Sequence, residues 1–174
     1  MGIQFETDYN METLTAMAKG LRKTVRKKRS RRVHIFAAVV LILGLLTILA
    51  TTAGGEPPGA SGVVTLLAML VVILVSLFED KLNAWFARKR LLPGTEHAAA
   101  TFEEDGYVSA TGVTESRFSY AQIVAVAETA RYFVFALSSH HTQAYDKRTI
   151  RGGSVEDFRA FIAEKTGKLV ENIK

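Results

Sequence analysis

Hydrophobic positions along this chain follow three rhythms. Ile3, Phe5 and Thr7 alternate with Gln4, Glu6 and Asp8, the period of two that marks a half-buried strand. From Asn10 the spacing lengthens: Leu14, Met17, Ala18, Leu21 and Val25 suit a helix, capped by Asp8 or Asn10 and running on into a longer apolar segment. Two runs, residues 33–50 and 63–78, then carry no charged side chain. At 1.5 Å per residue the first is roughly 27 Å long, and the second matches it when residues 60–62 are included. A charge at the centre of a bilayer helix costs about 2.5–3.5 kcal/mol, while each Leu, Ile, Val or Phe returns about 0.3–0.6. Both runs are therefore predicted to span a membrane.

Beyond Pro93-Gly94 the pattern shortens again. Residues 98–102, 107–111, 115–120, 123–128, 132–137 and 142–146 read as strands, with Glu103-Glu104-Asp105-Gly106 a hairpin turn whose glycine supplies a positive φ. Ser154 followed by Asp157 marks a helix start; Val155, Phe158, Phe161 and Ile162 line one face, and Gly167 stops it. An early strand and helix cannot make a core alone, so the first strand is expected to pair with the later sheet. The predicted class is an α+β membrane protein: a two-helix transmembrane hairpin plus a small antiparallel β domain with one C-terminal helix. Its parts are a strand and basic amphipathic helix at 1–32, spans at 33–53 and 62–80, an extracytoplasmic turn at 54–61, a basic stalk at 81–92, and a folded domain at 93–170.

The connector holds Gly54, Gly55, Pro57, Pro58 and Gly59, a tight reversal whose only charge is Glu56. Arg22, Lys23, Arg26, Lys27, Lys28, Arg29, Arg31 and Arg32 precede the first span, and Lys81, Arg88, Lys89 and Arg90 follow the second. The basic flanks lie on one side of the hairpin, which predicts cytoplasmic N- and C-termini. An apolar run this long, starting only after residue 32, is expected to stay as an anchor rather than be cleaved. Within the spans, Ala37, Gly44 and Thr51 form a small-residue stripe, matched by Thr65, Ala68 and Val72. Glu79 and Asp80 fall where Arg29, Arg31 and Arg32 approach, a charge pairing that would set the register of the hairpin. Past the second span, Phe78, Leu82, Trp85 and Phe86 continue the helix, with Trp85 at headgroup level.

The net charge of +5 is not spread evenly. From Leu91 onward nine basic residues face eleven acidic ones, so the positive excess belongs to the membrane flanks. Juxtamembrane basic residues are each attracted to anionic headgroups by about 1 kcal/mol, and Arg22, Lys23, Arg26, Lys27, Lys28, Arg29, Arg31, Arg32, Arg88, Lys89 and Arg90 are the candidate lipid contacts. Lipid adhesion is expected here, not nucleic-acid binding. The chain has no cysteine, which excludes disulfides, thiol nucleophiles and thiolate metal sites.

Few residues suggest chemistry. His140 and His141 are adjacent, so in a strand they point to opposite faces and do not share a metal; a polar loop over 138–143 accounts for them better. His97 beside Glu96 reads as a surface linker residue. The acids at 103–105 lie in a short wet turn that offers no cage for a cation. Arg151-Gly152-Gly153-Ser154 reads as a helix cap more than an anion site. No nucleophile is spaced with a base. No catalytic residue, metal ligand or cofactor is expected.

Span, span, small sheet, helix: this order resembles the YcxB-like family of bacterial membrane proteins. The local likeness runs through Phe102-Glu103-Glu104-Asp105-Gly106-Tyr107, Ser119-Tyr120-Ala121-Gln122-Ile123, Glu128 with Tyr132-Phe133-Val134-Phe135, and Asp146-Lys147-Arg148 leading to Ser154-Val155-Glu156-Asp157-Phe158. One departure is Thr149-Ile150, where the family commonly has an aromatic. The resemblance implies a pleckstrin-homology-like (PH-like) cytoplasmic domain. PH-like domains that hold phosphoinositides generally place basic residues in the first hairpin, whereas the hairpin at 103–106 is acidic. Lys147, Arg148 and Arg151 are the basic cluster of the domain and the candidate docking site for a protein partner.

The expected function is a non-enzymatic binding or scaffold module, held at the inner face of a bacterial cell membrane and working through a protein partner or self-association. The alternative is a self-protection or envelope-stress factor against membrane-active antimicrobials. A transporter or channel subunit fits less well, because neither apolar run carries an Asp, Glu, Lys or Arg of the kind that pathways use.

Overall fold

The alternation at the N-terminus forms strand β1 (Ile3–Asp8), and Asn10 caps helix α1 (Met11–Lys23) by accepting from the backbone N–H groups of Glu12 and Thr13. The two apolar runs become helices α2 (Lys27–Thr52) and α3 (Ala60–Leu77), each long and apolar enough to cross a membrane. Helix α4 (Glu79–Arg88) follows a single non-helical residue, Phe78. The computed structural model describes residues 2–53 and 59–173; most of the expected reversal at 54–61 lies outside the described residues. The chain divides into two compact units, Met1–Lys27 with Asn83–Lys174, and Lys28–Leu82.

Periodicity predicts one helix running from Asn10 into the first span, but the structure breaks it at residues 24–26. Thr24 turns its hydroxyl back to the Gly20 carbonyl (2.8 Å), and the Arg26 N–H reaches the Leu21 carbonyl, one residue beyond helical spacing. Leu21 and Val25 keep helical spacing across this break, so the apolar pattern alone does not reveal it.

In the hairpin unit the packed stripe differs from the predicted one. Ala37, Gly44, Thr65 and Val72 are half-buried, but Thr51 and Ala68 are exposed, and Thr52 and Met69 take their places. A Cβ on Gly44 would lie 2.8 Å from Met69 Sδ, so the missing side chain is what lets α3 approach. Near the other end, His34 Nε2 and Glu79 Oε2 are 3.8 Å apart.

The larger unit contains two four-stranded sheets. Strands β2 (His97–Phe102), β3 (Tyr107–Thr111) and β4 (Glu115–Phe118) join β1 in the order β1-β2-β3-β4, all antiparallel. Strands β5 (Ala125–Glu128), β6 (Tyr132–Ala136) and β7 (Thr142–Asp146) form an antiparallel meander. After helix α5 (Val155–Thr166), a short strand β8 (Val170–Asn172) pairs parallel to β5, giving the order β7-β6-β5-β8. Helix α5 begins at the Ser154–Asp157 capping box and ends at Gly167, whose φ of 64° is left-handed.

Three findings depart from the sequence expectation. The meander gains β8, a parallel strand. Gly106 does not have a positive φ; a Cβ there would sit 2.5 Å from the Phe118 carbonyl oxygen, so close backbone approach is what requires the glycine. Because β1 pairs with β2, the acidic turn at 103–106 joins the second and third strands of its sheet, not the first and second.

Phe5 carries the N-terminal strand into the core. Its ring meets Phe158 of α5 at 4.6 Å, Tyr145 at 5.6 Å and Phe102 at 5.7 Å between centroids. On the outer face of the second sheet, α1 sets Ala16 and Met17 against Ala127, Tyr132, Val134, Ala144 and Ile173. A Cβ on Gly20 would lie 2.7 Å from Val134, so helix and strand meet almost backbone to side chain.

Candidate functional site

The basic residues of the membrane flanks occupy different settings. Arg22 and Lys23 close α1, Lys27 opens α2, and Lys28, Arg29, Arg31 and Arg32 follow in its first turns with exposed side chains. Arg88 ends α4, and Lys89 and Arg90 follow it, all exposed; the Lys89 ammonium sits 3.6 Å above the Trp85 ring. Arg26 is turned to the domain instead. Its Nε donates to the Ser139 carbonyl at 2.6 Å, and its Nη2 lies 2.9 Å from His140 Nδ1.

The proposed docking cluster is split in the same way. Lys147 donates to Glu128 Oε1 at 2.9 Å with its side chain 14% exposed, so it belongs to an internal ion network. Arg159 completes that network, donating to both Glu128 oxygens at 2.6 and 2.9 Å. The hydrogen bonds from Arg159 hold Glu128 below the ordinary carboxylate range, outweighing the burial that pushes it up. Arg148 binds Asp146, which also receives Nε and Nη2 of Arg131 at 2.9 and 2.7 Å. Arg131 in turn pairs with Glu12, linking α1 to β6 and β7. Arg151 remains on the surface with Glu6 3.5 Å away. Of the three, Arg148 and Arg151 are outward-facing.

Both neighbouring histidines lie in the loop before β7, not in a strand, and their rings meet different groups. His140 meets Arg26, whereas the His141 ring lies 6.5 Å from Phe118. His97 sits 2.7 Å from Asp8 across the β1–β2 pair. Among the described residues no group of three His, Asp or Glu is placed to hold a metal ion. Glu103 faces Arg117, and Glu104 pairs with Lys165 of α5.

A different site comes from strand register. Across the inner face of the first sheet, one row reads Ile3, Phe102, Tyr107, Phe118; the next reads Phe5, Ala100, Ser109, Ser116; a third holds Thr7, Ala98 and Thr111. The lining passes from aromatic to small and hydroxylated within two rows. Opposite, β7 changes from Tyr145 to Gln143 and then to His141 in the loop before it. These positions open a cavity of about 330 Å³, walled also by Tyr9, Leu14 and Met17. None of its lining residues is Asp, Glu, Lys or Arg.

Gln143 anchors this mouth. The strand expected at 142–146 forms with those bounds, so the loop before it stops short of residue 142, and Gln143 is a buried residue of β7 whose Oε1 accepts from the Tyr107 and Tyr145 hydroxyls, each at 2.7 Å. Burial raises both tyrosines well above their ordinary range, so these hydroxyls stay protonated donors. Burial also pushes Tyr9 up to about 12. Sequence reading passes over Ser109, Ser116 and Gln143; the available signal is the alternation Tyr107, Ser109, Thr111 along β3, which puts hydroxyls where a closed core needs apolar groups.

The model of the family described as YcxB-like protein matches residues 102–162, from the end of β2 to Ile162 in α5. No match appears among curated proteins or among solved structures. The matched stretch holds β3 to β7 and most of α5, while β1, the four helices α1 to α4 and β8 lie outside it. Through residues 102–162 this chain is similar to the YcxB-like family.

Proposed function

We propose that the protein is a membrane-anchored, non-enzymatic binding module, with α2 and α3 as a transmembrane hairpin and the YcxB-like domain at the inner face of a bacterial cell membrane. The observation that carries this reading is the charge arrangement around two uncharged helices. Basic residues flank the outer ends of both, and the connector carries only Glu56. The domain is PH-like in this reading, supported by two four-stranded sheets and one helix near the C-terminus. Arg148 and Arg151 offer a surface for an acidic protein partner, and the exposed basic residues of the flanks contact anionic lipid headgroups.

A chain without cysteine makes the test clean. In Glu56→Cys and Ser139→Cys variants, a membrane-impermeant maleimide added to intact cells is expected to label residue 56 and to reach residue 139 only after lysis. The reverse pattern, or recovery of the protein from the soluble fraction without detergent, overturns the reading.

A further inference from the structure

The cavity at the mouth of the two sheets is built around an unused donor. Gln143 is 6% exposed, and both of its tyrosine partners converge on Oε1. Among the described residues its amide nitrogen has no hydrogen-bond partner, although the residue lines the cavity. A primary amide carries two N–H donors, and because no fully buried side-chain nitrogen or oxygen among the described residues lacks a partner, this one is open to the cavity and available to an occupant. The tyrosines also hold the amide in one orientation. The hydroxyls of Tyr9, Ser109 and Ser116 line the same space and, among the described residues, bond to no other group. Leu14 and Phe118 supply an apolar wall.

Charge narrows the occupant. With no carboxylate, ammonium or guanidinium in the lining, a cation meets no opposite charge and an anion meets at most the His141 imidazole, so an ionic ligand bears most of the cost of leaving water. The volume falls at the lower end of the range for small-molecule pockets. An oxygen-rich neutral ring with one apolar face meets every wall: acceptors for the Gln143 nitrogen, hydroxyl partners for Tyr9, Ser109 and Ser116, and C–H groups for Leu14 and Phe118. We propose that this cavity binds an uncharged, polyhydroxylated small molecule of about monosaccharide size. The claim concerns the folded domain alone and stands whether or not the hairpin spans a membrane.

The test uses the full chain in phosphatidylcholine nanodiscs, so that no glycoside detergent competes. Saturation-transfer NMR titrations compare sugar probes that differ in charge: methyl glucoside and N-acetylglucosamine as neutral ligands, glucosamine as a cation and glucuronate as an anion. The neutral pair is expected to bind, with both charged rings at least about tenfold weaker. Ser109→Val with Ser116→Val, which removes hydroxyls that bond nothing inside the protein, is expected to weaken neutral binding about tenfold while the unfolding midpoint holds. Gln143→Met serves as a second variant with the same expected loss. Absence of binding by either neutral sugar, equal binding of a charged ring, or unchanged affinity in the double valine variant overturns the proposal.

Discussion

Phe5→Ala tests whether the N-terminal strand is part of the domain core. The ring is 1% exposed and meets three aromatic rings, two of them from segments more than 130 residues away in sequence. Truncating a buried Phe to Ala costs about 3–5 kcal/mol, against a total stability of about 5–15 kcal/mol for a domain. With a urea slope of about 2 kcal/mol/M, the midpoint should fall by about 1.5–2.5 M. Phe5→Leu keeps most of the volume and should cost less than about 1.5 kcal/mol. The measurement suits a chain in which residues 28–82 are replaced by a flexible Gly/Ser linker, followed by near-ultraviolet circular dichroism of the aromatic cluster. Trp85 lies in α4 and is half-exposed, so its fluorescence reports poorly on this core. A shift below about 1 kcal/mol for Phe5→Ala, or cooperative folding of residues 93–174 alone at the same midpoint, would refute the reasoning.

Glu128→Gln removes the charge that Lys147 and Arg159 both use; because Arg159 is 40% exposed and can be rehydrated, the loss should sit near the lower end for buried pairs, about 3 kcal/mol at pH 7. The folded pKa of Glu128 is depressed, so its stabilisation is complete above the ordinary carboxylate range and is lost as pH falls through the folded value; thermal melts from pH 7 to pH 3 should show a shallower acid limb in the variant. Gly20→Ala places a Cβ 2.7 Å from Val134, and overpacking of about 1–3 kcal/mol should outweigh a helix-propensity gain of about 1 kcal/mol. Adding Val134→Ala should relieve that clash, so the two changes are non-additive in a double-mutant cycle; simple additivity would count against the close approach. Ser154→Ala dismantles the capping box of α5 and should cost about 1 kcal/mol in urea unfolding.

Strong local signals read through to the structure. The two apolar helices were legible because a charge-free run of that length does not suit a surface in contact with water, and α5 because Ser154, Asp157 and Gly167 each act within their own helix. What the sequence hid depends on distant segments. The break at residues 24–26 is invisible to periodicity because Leu21 and Val25 keep the spacing of one helix. Strand β8 is three residues long and pairs with β5, more than forty positions earlier, so Val170-Glu171-Asn172 has no rhythm to detect. Gly106 invites a turn-angle reading, yet its constraint is the carbonyl of Phe118 on the neighbouring strand. The cavity is the extreme case: Ser109, Ser116 and Gln143 become one lining only through the register of β3, β4 and β7. Lys147 reads as a surface cation in the sequence, whereas in the fold Glu128, nineteen positions earlier, lies 2.9 Å away.

The pairing of β1 with β2 brings a timing problem during synthesis. Asp8 bonds across to His97, so the ribosome must add the whole intervening stretch before the first rung can close. At about 5–20 residues per second that wait lasts roughly 4–18 s. Throughout it, an unsatisfied edge is presented to any passing chain, which is the situation that invites stray pairing. Glu6 and Asp8 put negative charge on that waiting edge, and newborn copies on one polysome would repel each other there until the proper neighbour emerges.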